Sequence, residues 1–300
     1  MALTTIIAGC DLSGPSDQAL ERAIAIAIQH RAKIVLVHAQ ASEAAVVDVD
    51  HEALAQLGEV AAAIRAEEAR RLADKLAAIR SLGLTAEVVS RLGPPDEVLA
   101  GAAHDEQSDL IVVGTHGHSG ISRFLLGSVA NTILRRAPCD VLVVRGAPVQ
   151  AAFARPLVAS DFSPAADKAI DRAANVVVPG AGLDVVHAWE LPTGSWGATL
   201  LGQARFPWST VRDAVLSSAK LQADQLVAAH AGAFHVELVQ GPPAPVITET
   251  AERGGHDLIV VGSHGHRGFR RLLLGSVAES TVRHAPCSVL VVHGAPASPG

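Results

Sequence analysis

Cysteine is scarce in this 300-residue chain, and the few thiols do not form a recognisable pattern. The three cysteines, Cys10, Cys139 and Cys287, include no CxxC pair and no even-numbered framework. Such usage is typical of a protein kept in a reducing compartment rather than of a disulfide-stapled secreted domain. We therefore expect a cytoplasmic location.

The chain also lacks long apolar runs and an excess of basic residues. No run reaches the length of a transmembrane helix. The N-terminal sequence MALTTIIAGCDLSG has no basic n-region, so it predicts a first strand and not a signal peptide. The net charge is −6 and the pI is about 6.1, whereas nucleic-acid-binding domains usually carry a basic surface. We expect neither a membrane nor a nucleic acid as partner.

The common catalytic signatures are missing as well. The sequence contains no GxxxxGK[ST], so the phosphate-binding lysine of a P-loop is absent, and it contains no GxSxG or GxGxxG. We identify no catalytic set of residues.

The strongest feature present is a stretch that occurs twice, at residues 108–144 and 257–292. In each copy an apolar run leads into a loop that carries glycines at a shared spacing, and a glycine followed by serine begins a predicted helix. These residues are Gly114, Gly117, Gly127 and Ser128 in the first copy, and Gly262, Gly265, Gly275 and Ser276 in the second.

Such a loop can wrap a phosphate. Glycine permits close approach of the backbone, and a helix start presents unpaired N–H groups to a ligand. The serine adds a hydroxyl at a position that also suits an N-cap. The alternative is that the glycines only make turns, as they do at many junctions between strand and helix.

The repeat predicts two domains of one fold, at residues 1–146 and 155–294, because its copies lie 148 residues apart. In each half, apolar strands alternate with helical patterns in the order βαβαβαβαβ, which predicts a parallel sheet covered on both faces. The fold class is therefore α/β, with two doubly wound five-stranded sheets in tandem and a flavodoxin-like strand order of 3-2-1-4-5. Ligands bind such sheets at the carboxyl ends of the first and fourth strands, which lead here to Asp11 and Gly114.

The second half differs from the first at residues 190–210. This segment follows Trp189, holds Trp196 and Trp208 and is rich in glycine and proline, so it predicts a long loop or lid before a helix at 211–229. It could cap the second cleft, cover a partner surface or pack on its own core.

Several histidines and arginines near the repeated loop are candidates for phosphate contact. His116 and His118 form one HxH pair, and His264 and His266 form another; two imidazoles alone do not make a tetrahedral zinc site. Arg123, Arg270 and Arg271 could pair with phosphate or remain solvated. His38 and His187 end predicted strands and are expected to be core histidines.

The cysteines are expected to be structural. Cys139 and Cys287 each follow a proline at the entrance to a last strand, where a buried, unreactive thiol is the simplest interpretation. Cys10 adjoins the predicted crevice, and a redox role there has little support.

On these residues the chain resembles the universal stress protein family, in its ATP-binding subgroup, with two such domains in tandem. The family pattern G-x2-G-x9-G-[S/T] is met by both copies of the glycine loop. The acidic residue after the first strand matches Asp11 and Asp161, and the histidine that ends the second strand matches His38 and His187. The resemblance covers residues 3–145 and 155–293.

The resemblance implies an adenine-nucleotide-hydrolase-like fold and ATP, together with Mg²⁺, as ligand. Asp11 and Asp161 would accept hydrogen bonds from ribose or adenine; the alternative, which has less support, is that each is a turn residue that leads a helix. The remaining implied contacts are Ala39, Val113, Ala188 and Val261 around the base and sugar, and the loop glycines, Ser128, Val129, Ser276 and Val277 around the phosphates.

The resemblance further implies a nucleotide-responsive stress or regulatory factor. One alternative is a slow ATPase or nucleotide-dependent phosphotransferase; no residue is evidently placed to orient an attacking water, so hydrolysis would be weak at most. Another is a nucleotide-free interaction module. Relatives pair through their last strands, so the apolar strands at 141–144 and 289–292 predict a pseudo-dimer of the two halves. A homodimer and an unidentified protein partner are further expectations.

Overall fold

The computed structural model describes residues 2–40, 51–115, 126–146, 152–191, 208–230, 234–265 and 274–293, with only the backbone for 51–57 and 234. The chain divides into two compact units, Met1–Ala151 and Ala152–Gly300. We call them unit 1 and unit 2. Within the described ranges, no helix is both long and apolar enough to cross a membrane.

Unit 1 is a parallel sheet with strand order β3-β2-β1-β4-β5, connected by helices. Its elements are β1 (Thr5–Gly9), α1 (Gly14–His30), β2 (Lys33–Gln40), α2 (His51–Ser81), β3 (Ala86–Leu92), α3 (Pro95–Asp105), β4 (Leu110–Gly114), α4 (Ser128–Arg136) and β5 (Asp140–Val144).

Unit 2 repeats this plan with strand order β8-β7-β6-β9-β10, again with every pair parallel. Its elements are β6 (Pro156–Ala159), α5 (Pro164–Ala173), β7 (Leu183–Trp189), α6 (Trp208–Ala229), β8 (Phe234–Gln240), α7 (Pro243–Gly254), β9 (Leu258–Gly262), α8 (Ser276–His284) and β10 (Ser288–Val292). The predicted fold class and the strand order 3-2-1-4-5 are confirmed in both units.

The central strands are buried on both faces, because helices pack on each side of the sheet. Ile6, Ile7 and Ile111 of unit 1 are fully buried, as are Ile259 and Val260 of unit 2. This burial explains why the strands are almost continuously apolar in the sequence. It also leaves their carboxyl ends, where the chain passes into loops, as the place where polar groups can gather.

The helix after each first strand begins with the same device. Ser13 caps α1 by accepting the amide hydrogen of Ser16 at 3.4 Å, and Ser163 caps α5 by accepting that of Ala166 at 3.3 Å. A proline stands in the first turn of both helices, where its missing N–H costs nothing. These caps fix the point at which the chain leaves each first strand and turns into a helix.

The prediction of one long loop or lid over residues 190–210 is partly wrong. Trp189 is the last residue of β7 and is buried, while Trp208 is the first residue of α6. The helix therefore starts three residues earlier than 211, and Trp208 belongs to this helix and not to the predicted lid. Trp196 and the rest of 192–207 lie outside the described residues, so the lid itself stays a prediction.

Candidate functional site

Each unit has a cavity at the carboxyl ends of its first and fourth strands. The unit 1 cavity has a volume of about 270 Å³, and the unit 2 cavity has a volume of about 660 Å³. Both lie between the end of the first strand, the end of the fourth strand and the start of the helix after the glycine loop. This is the crevice that the doubly wound topology predicts.

The structure brings the predicted site residues together in these cavities. The unit 1 lining includes Asp11, Ala39, Val113, Gly114, Gly127, Ser128 and Val129. The unit 2 lining includes Asp161, Ala188, Val261, Gly262, Gly265, Gly275, Ser276 and Val277. Gly117 lies outside the described residues. Sequence reasoning missed several further lining residues, among them Ser16, Pro95 and Leu99 of unit 1 and Ala166, Pro243 and Ile247 of unit 2.

The two aspartates hold the same local geometry. Asp11 Oδ1 accepts the amide hydrogen of Ser13 at 3.0 Å, and Asp161 Oδ1 accepts that of Ser163 at 3.1 Å. Each carboxylate therefore makes the turn that leads a helix, the alternative role that the sequence allowed. This hydrogen bond also fixes the direction of a carboxylate that lines a cavity, so the structural role and a ligand contact are compatible.

The residue after each aspartate has a left-handed backbone. Leu12 has a φ of 63° and Phe162 a φ of 58°. Residues other than glycine, asparagine or aspartate rarely adopt this conformation, and such strain is often concentrated at functional sites. Its occurrence at the same place in both repeats indicates that the aspartate turn depends on it.

The helix that follows each glycine loop has a glycine at its N-cap. Gly127 and Gly275 hold these positions without a side-chain cap. The first intrahelical donors are Asn131, to Gly127 O at 3.0 Å, and Glu279, to Gly275 O at 2.9 Å. The predicted N-cap role of Ser128 and Ser276 is therefore wrong, since each serine is the first helical residue and is exposed.

This arrangement leaves the amides of the first helical turn without intrahelical acceptors, at the edge of the cavity. Residues 128–130 and 276–278 precede the first intrahelical donors, and they include lining residues of each cavity. A helix N-terminus carries the equivalent of about half a positive charge. The cavities therefore combine an electropositive end with an aspartate carboxylate.

Close backbone packing explains why glycine is needed in these loops. A Cβ added at Gly114 would lie 2.8 Å from Pro15 O, and one added at Gly275 would lie 3.1 Å from Ser263 O. A Cβ at Gly265 would collide with Asp161 Oδ2. Gly265 therefore brings the second loop directly over the carboxylate.

A histidine fixes the backbone just before each aspartate. Nδ1 of His38 is 2.8 Å from Cys10 O, and Nδ1 of His187 is 2.8 Å from Ser160 O. His38 is buried, as expected of a core histidine, with Nε2 3.7 Å from a Glu68 carboxylate oxygen. His187 is only half-buried and lines the unit 2 cavity. Burial lowers the pKa of His187, outweighing the hydrogen bond to Ser160 and the charge of Asp161, which raise it.

The aspartate turn of unit 1 is also held by α2, a contact that the sequence analysis missed. The Arg71 guanidinium donates to Leu12 O at 2.9 Å, and Lys75 Nζ lies 2.5 Å from Asp17 Oδ1 in the first turn of the following helix, α1. In unit 2 the turn residue Phe162 instead stacks on His187, with ring centroids 4.3 Å apart. The only signal in the sequence was that Glu68, Arg71 and Lys75 share one helical face.

The cysteines are free thiols in the structure. Cys10 is buried and lines the unit 1 cavity, and this burial raises its pKa, which makes the thiol less reactive. Cys139 and Cys287 are half-buried, so the prediction of buried thiols was wrong for both. Cys139 Sγ lies 3.3 Å from Ser108 Oγ, at the opening of the last strand of unit 1.

Most of the predicted basic side chains near the loops lie outside the described residues, namely His116, His118, Arg123, His266, Arg270 and Arg271. His264 is described and lines the unit 2 cavity. In the part of the chain that the structure describes, no group of three or more His, Cys, Asp or Glu side chains is arranged to hold a metal ion.

Comparison with known proteins gives a consistent result. The model of the universal stress protein family matches residues 3–145 and 153–293. A universal stress protein of Mycolicibacterium smegmatis is 30% identical over 301 residues, which covers 96% of each chain. One of Methanocaldococcus jannaschii is 52% identical over 59 residues, 20% of this chain and 35% of that protein. The chain spans only 35% to 59% of the length of four of the curated relatives that it matches.

Solved structures show the same fold. The crystal structure of a universal stress protein from Archaeoglobus fulgidus superimposes with a TM-score of 0.66 at 24% identity and covers 96% of both chains. The shared fold therefore extends over nearly the whole chain. Together with the family match in each half, these similarities show that the chain belongs to the universal stress protein family and carries two domains of that family in tandem.

Proposed function

We propose that each unit binds an adenine nucleotide, ATP together with Mg²⁺, and that the chain acts as a nucleotide-responsive stress or regulatory factor. One observation carries this proposal. In each unit, a helix N-terminus without a side-chain cap opens into a cavity that also contains an aspartate from the neighbouring strand. These are the two complementary groups that a nucleotide needs, a cradle for anionic phosphates and an acceptor for hydroxyl or amino groups.

The lining residues fit the parts of a nucleotide in a consistent order. The phosphates would lie at the start of α4 or α8, where the free amides and the Ser128 or Ser276 hydroxyl can donate hydrogen bonds. The ribose would lie near Asp11 or Asp161. Ala39 or Ala188 would border the base, since each belongs to the second strand and lines its cavity. Mg²⁺ would enter with the phosphates and supply charge neutralisation there.

Equilibrium binding of ATP to the purified full chain tests the proposal. We expect isothermal titration calorimetry with Mg²⁺ present to show saturable binding, and Asp11→Ala combined with Asp161→Ala to weaken it strongly. Asp105→Ala is the matched control, because this exposed carboxylate pairs with Arg91 at 2.9 Å and lines neither cavity. Absence of saturable binding at millimolar ATP would contradict the proposal and favour an interaction module without nucleotide.

The same sample distinguishes binding from catalysis. Single-turnover release of phosphate that disappears in the double aspartate variant would favour a slow ATPase or phosphotransferase over a binding protein.

The cytoplasmic location, the pairing of the two halves, a homodimer and a protein partner stay predictions. Sedimentation velocity with and without ATP tests the homodimer.

A further inference from the structure

One peptide group joins α2 to the carboxylate of Asp11. The Arg71 guanidinium donates to Leu12 O at 2.9 Å. The N–H of the same peptide group belongs to Ser13 and donates to Asp11 Oδ1 at 3.0 Å. Because a trans peptide group is planar, with its C=O and N–H on opposite sides, the guanidinium and the carboxylate are held at the two ends of one rigid unit.

These two hydrogen bonds strengthen one another. A cation at the carbonyl oxygen polarises the peptide group and makes its N–H a better donor, and such chains of hydrogen bonds are cooperative inside proteins. The Ser13 hydroxyl also donates to Asp11 Oδ1. The Asp11 carboxylate lines the unit 1 cavity, so its direction there depends on a peptide group that Arg71 holds from the other side.

Contacts on both sides of Arg71 attach α2 to the rest of unit 1. Lys75 Nζ lies 2.5 Å from Asp17 Oδ1 in the first turn of α1, and a Glu68 carboxylate oxygen lies 3.7 Å from His38 Nε2. Glu68, Arg71 and Lys75 are spaced by three and four residues, so they share one face of the helix. The guanidinium therefore projects from a helix that is attached one turn before it and one turn after it.

Unit 2 has the same turn but an alanine at the place of the arginine. Asp161 Oδ1 accepts the amide hydrogen of Ser163 at 3.1 Å. The residue 148 positions after Arg71 is Ala219, which is buried in α6 and whose methyl group cannot donate a hydrogen bond. The repeat therefore supplies a comparison within one chain, between a carboxylate turn with a guanidinium behind it and one with an alanine there.

We propose that Arg71 is a positioning residue for ligand binding in unit 1. Through the peptide group between Leu12 and Ser13, it keeps the Asp11 carboxylate in the orientation that meets the ligand, and this dependence is confined to unit 1. By linkage, a ligand held by Asp11 also tightens the attachment of α2. The inference rests on the proposed function, because it names the residue that supports one of its ligand contacts.

Isothermal titration calorimetry of the full chain with ATP and Mg²⁺ tests this role. Each variant also carries Asp161→Ala, which we expect to leave unit 1 as the stronger site. Arg71→Met keeps an apolar stem but removes the donor, and it should weaken ATP binding about tenfold, within the range of coupling between residues of one hydrogen-bond network. Arg71→Lys, which restores a charged donor, should recover most of the loss. Arg70→Met is the matched control, since Arg70 is exposed and lines neither cavity.

Two further measurements separate positioning from a general loss of structure. With Asp11→Ala in place of Asp161→Ala, only unit 2 keeps its aspartate, and Arg71→Met should then leave the ATP affinity unchanged. In the unaltered chain, saturating ATP should slow the hydrogen exchange of the α2 amides from 68 to 75, and Asp11→Ala should remove this slowing. Circular dichroism confirms that each variant is folded; if Arg71→Met is not, the exchange measurement decides.

Unchanged ATP affinity in Arg71→Met, or a loss that Arg71→Lys does not recover, would overturn the role of Arg71. An equal loss in unit 2, or an exchange rate of α2 that ATP does not change, would overturn it as well. Failure of the unaltered chain to bind ATP would instead overturn the proposed function.

Discussion

At the scale of single residues, equivalent glycines of the repeat have different surroundings. Gly114 and Gly262 both end the fourth strand of their units. An added Cβ would meet Pro15 O at 2.8 Å in unit 1, but would lie 3.2 Å from His264 O in unit 2. The first is a collision with backbone that cannot move without shifting α1, whereas the second requires a shift of a few tenths of an ångström.

Gly114→Ala should therefore destabilise the protein more than Gly262→Ala. We expect the free energy of unfolding to fall by about 1–3 kcal/mol for Gly114→Ala, the range for overpacked sites, and by less for Gly262→Ala. Urea denaturation followed by circular dichroism measures both. Equal losses would show that the contact with Pro15 is not the limiting one.

Thr281 of α8 is fully buried, and its hydroxyl has no hydrogen-bond partner among the residues that the structure describes. Unit 1 has Ile133 at the same place, also fully buried. Thr281→Val removes the unpaired hydroxyl with little change of shape, so we expect a gain of about 1 kcal/mol in the free energy of unfolding. Thr281→Ser, which keeps the hydroxyl and loses the methyl group, should destabilise. A loss in Thr281→Val by thermal unfolding would contradict this account.

His187 gives a prediction for pH. Because burial lowers its pKa, the unfolded chain takes up the proton more readily than the folded protein does. Its contribution to stability is therefore fully present above the ordinary histidine pKa of about 6.5 and is lost as the pH falls below it. Between about pH 7 and pH 5 the unaltered protein should lose more stability than His187→Gln. A His187→Gln curve parallel to that of the unaltered protein would refute the assignment.

At the scale of elements, α2 stabilises the aspartate turn of unit 1. Arg71 donates to the carbonyl of Leu12, the residue with the left-handed backbone. Its neighbour Arg70 is exposed and, within the described part of the chain, pairs with Glu67 and Asp74 along the helix surface. Two adjacent arginines therefore allow a direct comparison between a contact with the turn and a solvated ion pair.

We expect Arg71→Ala to lower the free energy of unfolding by about 1 kcal/mol, because it leaves Leu12 O without its charged donor. Arg70→Ala should cost close to nothing, as exposed ion pairs do. Chemical denaturation of the two variants checks this. Equal effects would mean that α2 does not support the turn.

The order and type of the elements could be predicted from sequence, because buried parallel strands give continuous apolar runs and the repeat supplies each pattern twice. The limits of α6 could not. Trp208 follows a glycine- and proline-rich segment, and its own preference does not distinguish a loop from a first helical turn. The N-cap assignment failed for a similar reason, since Gly-Ser allows either residue to be the cap.

The composition of the cavities was predictable where the repeat and the family pattern coincide, as at Asp161 and Gly275. The contacts that support the cavities were not predictable where they join residues distant in sequence. The bond from Arg71 to Leu12 spans 59 residues, and no local pattern links the two. The left-handed backbone conformations of Leu12 and Phe162 were also not predictable from the sequence, because neither residue type favours that conformation.

At the scale of the whole molecule, the tryptophans are distributed unevenly. All three belong to unit 2, and Trp189 is buried at the end of β7, next to the lining residue Ala188. Fluorescence therefore follows unit 2, whereas circular dichroism follows both units. Each unit has its own five strands and its own buried residues, so we expect the two signals to separate their responses.

We expect ATP to raise the free energy of unfolding of unit 2, followed by tryptophan fluorescence. The gain should be about 2.7 kcal/mol when free ATP is a hundredfold above its dissociation constant. Asp161→Ala should abolish this gain, and Asp11→Ala should preserve it. If Asp11→Ala removed the gain seen by fluorescence, ligand binding to the two units would not be independent.

The short hydrogen bonds that close both glycine loops have a practical consequence. Gly127 N donates to Thr115 O, and Gly275 N to Ser263 O, each at 2.8 Å. A backbone hydrogen bond therefore joins the two ends of each loop directly. We expect a short foreign peptide inserted between these two ends to leave the flanking strand and helix in register, even where the insertion alters the loop between them.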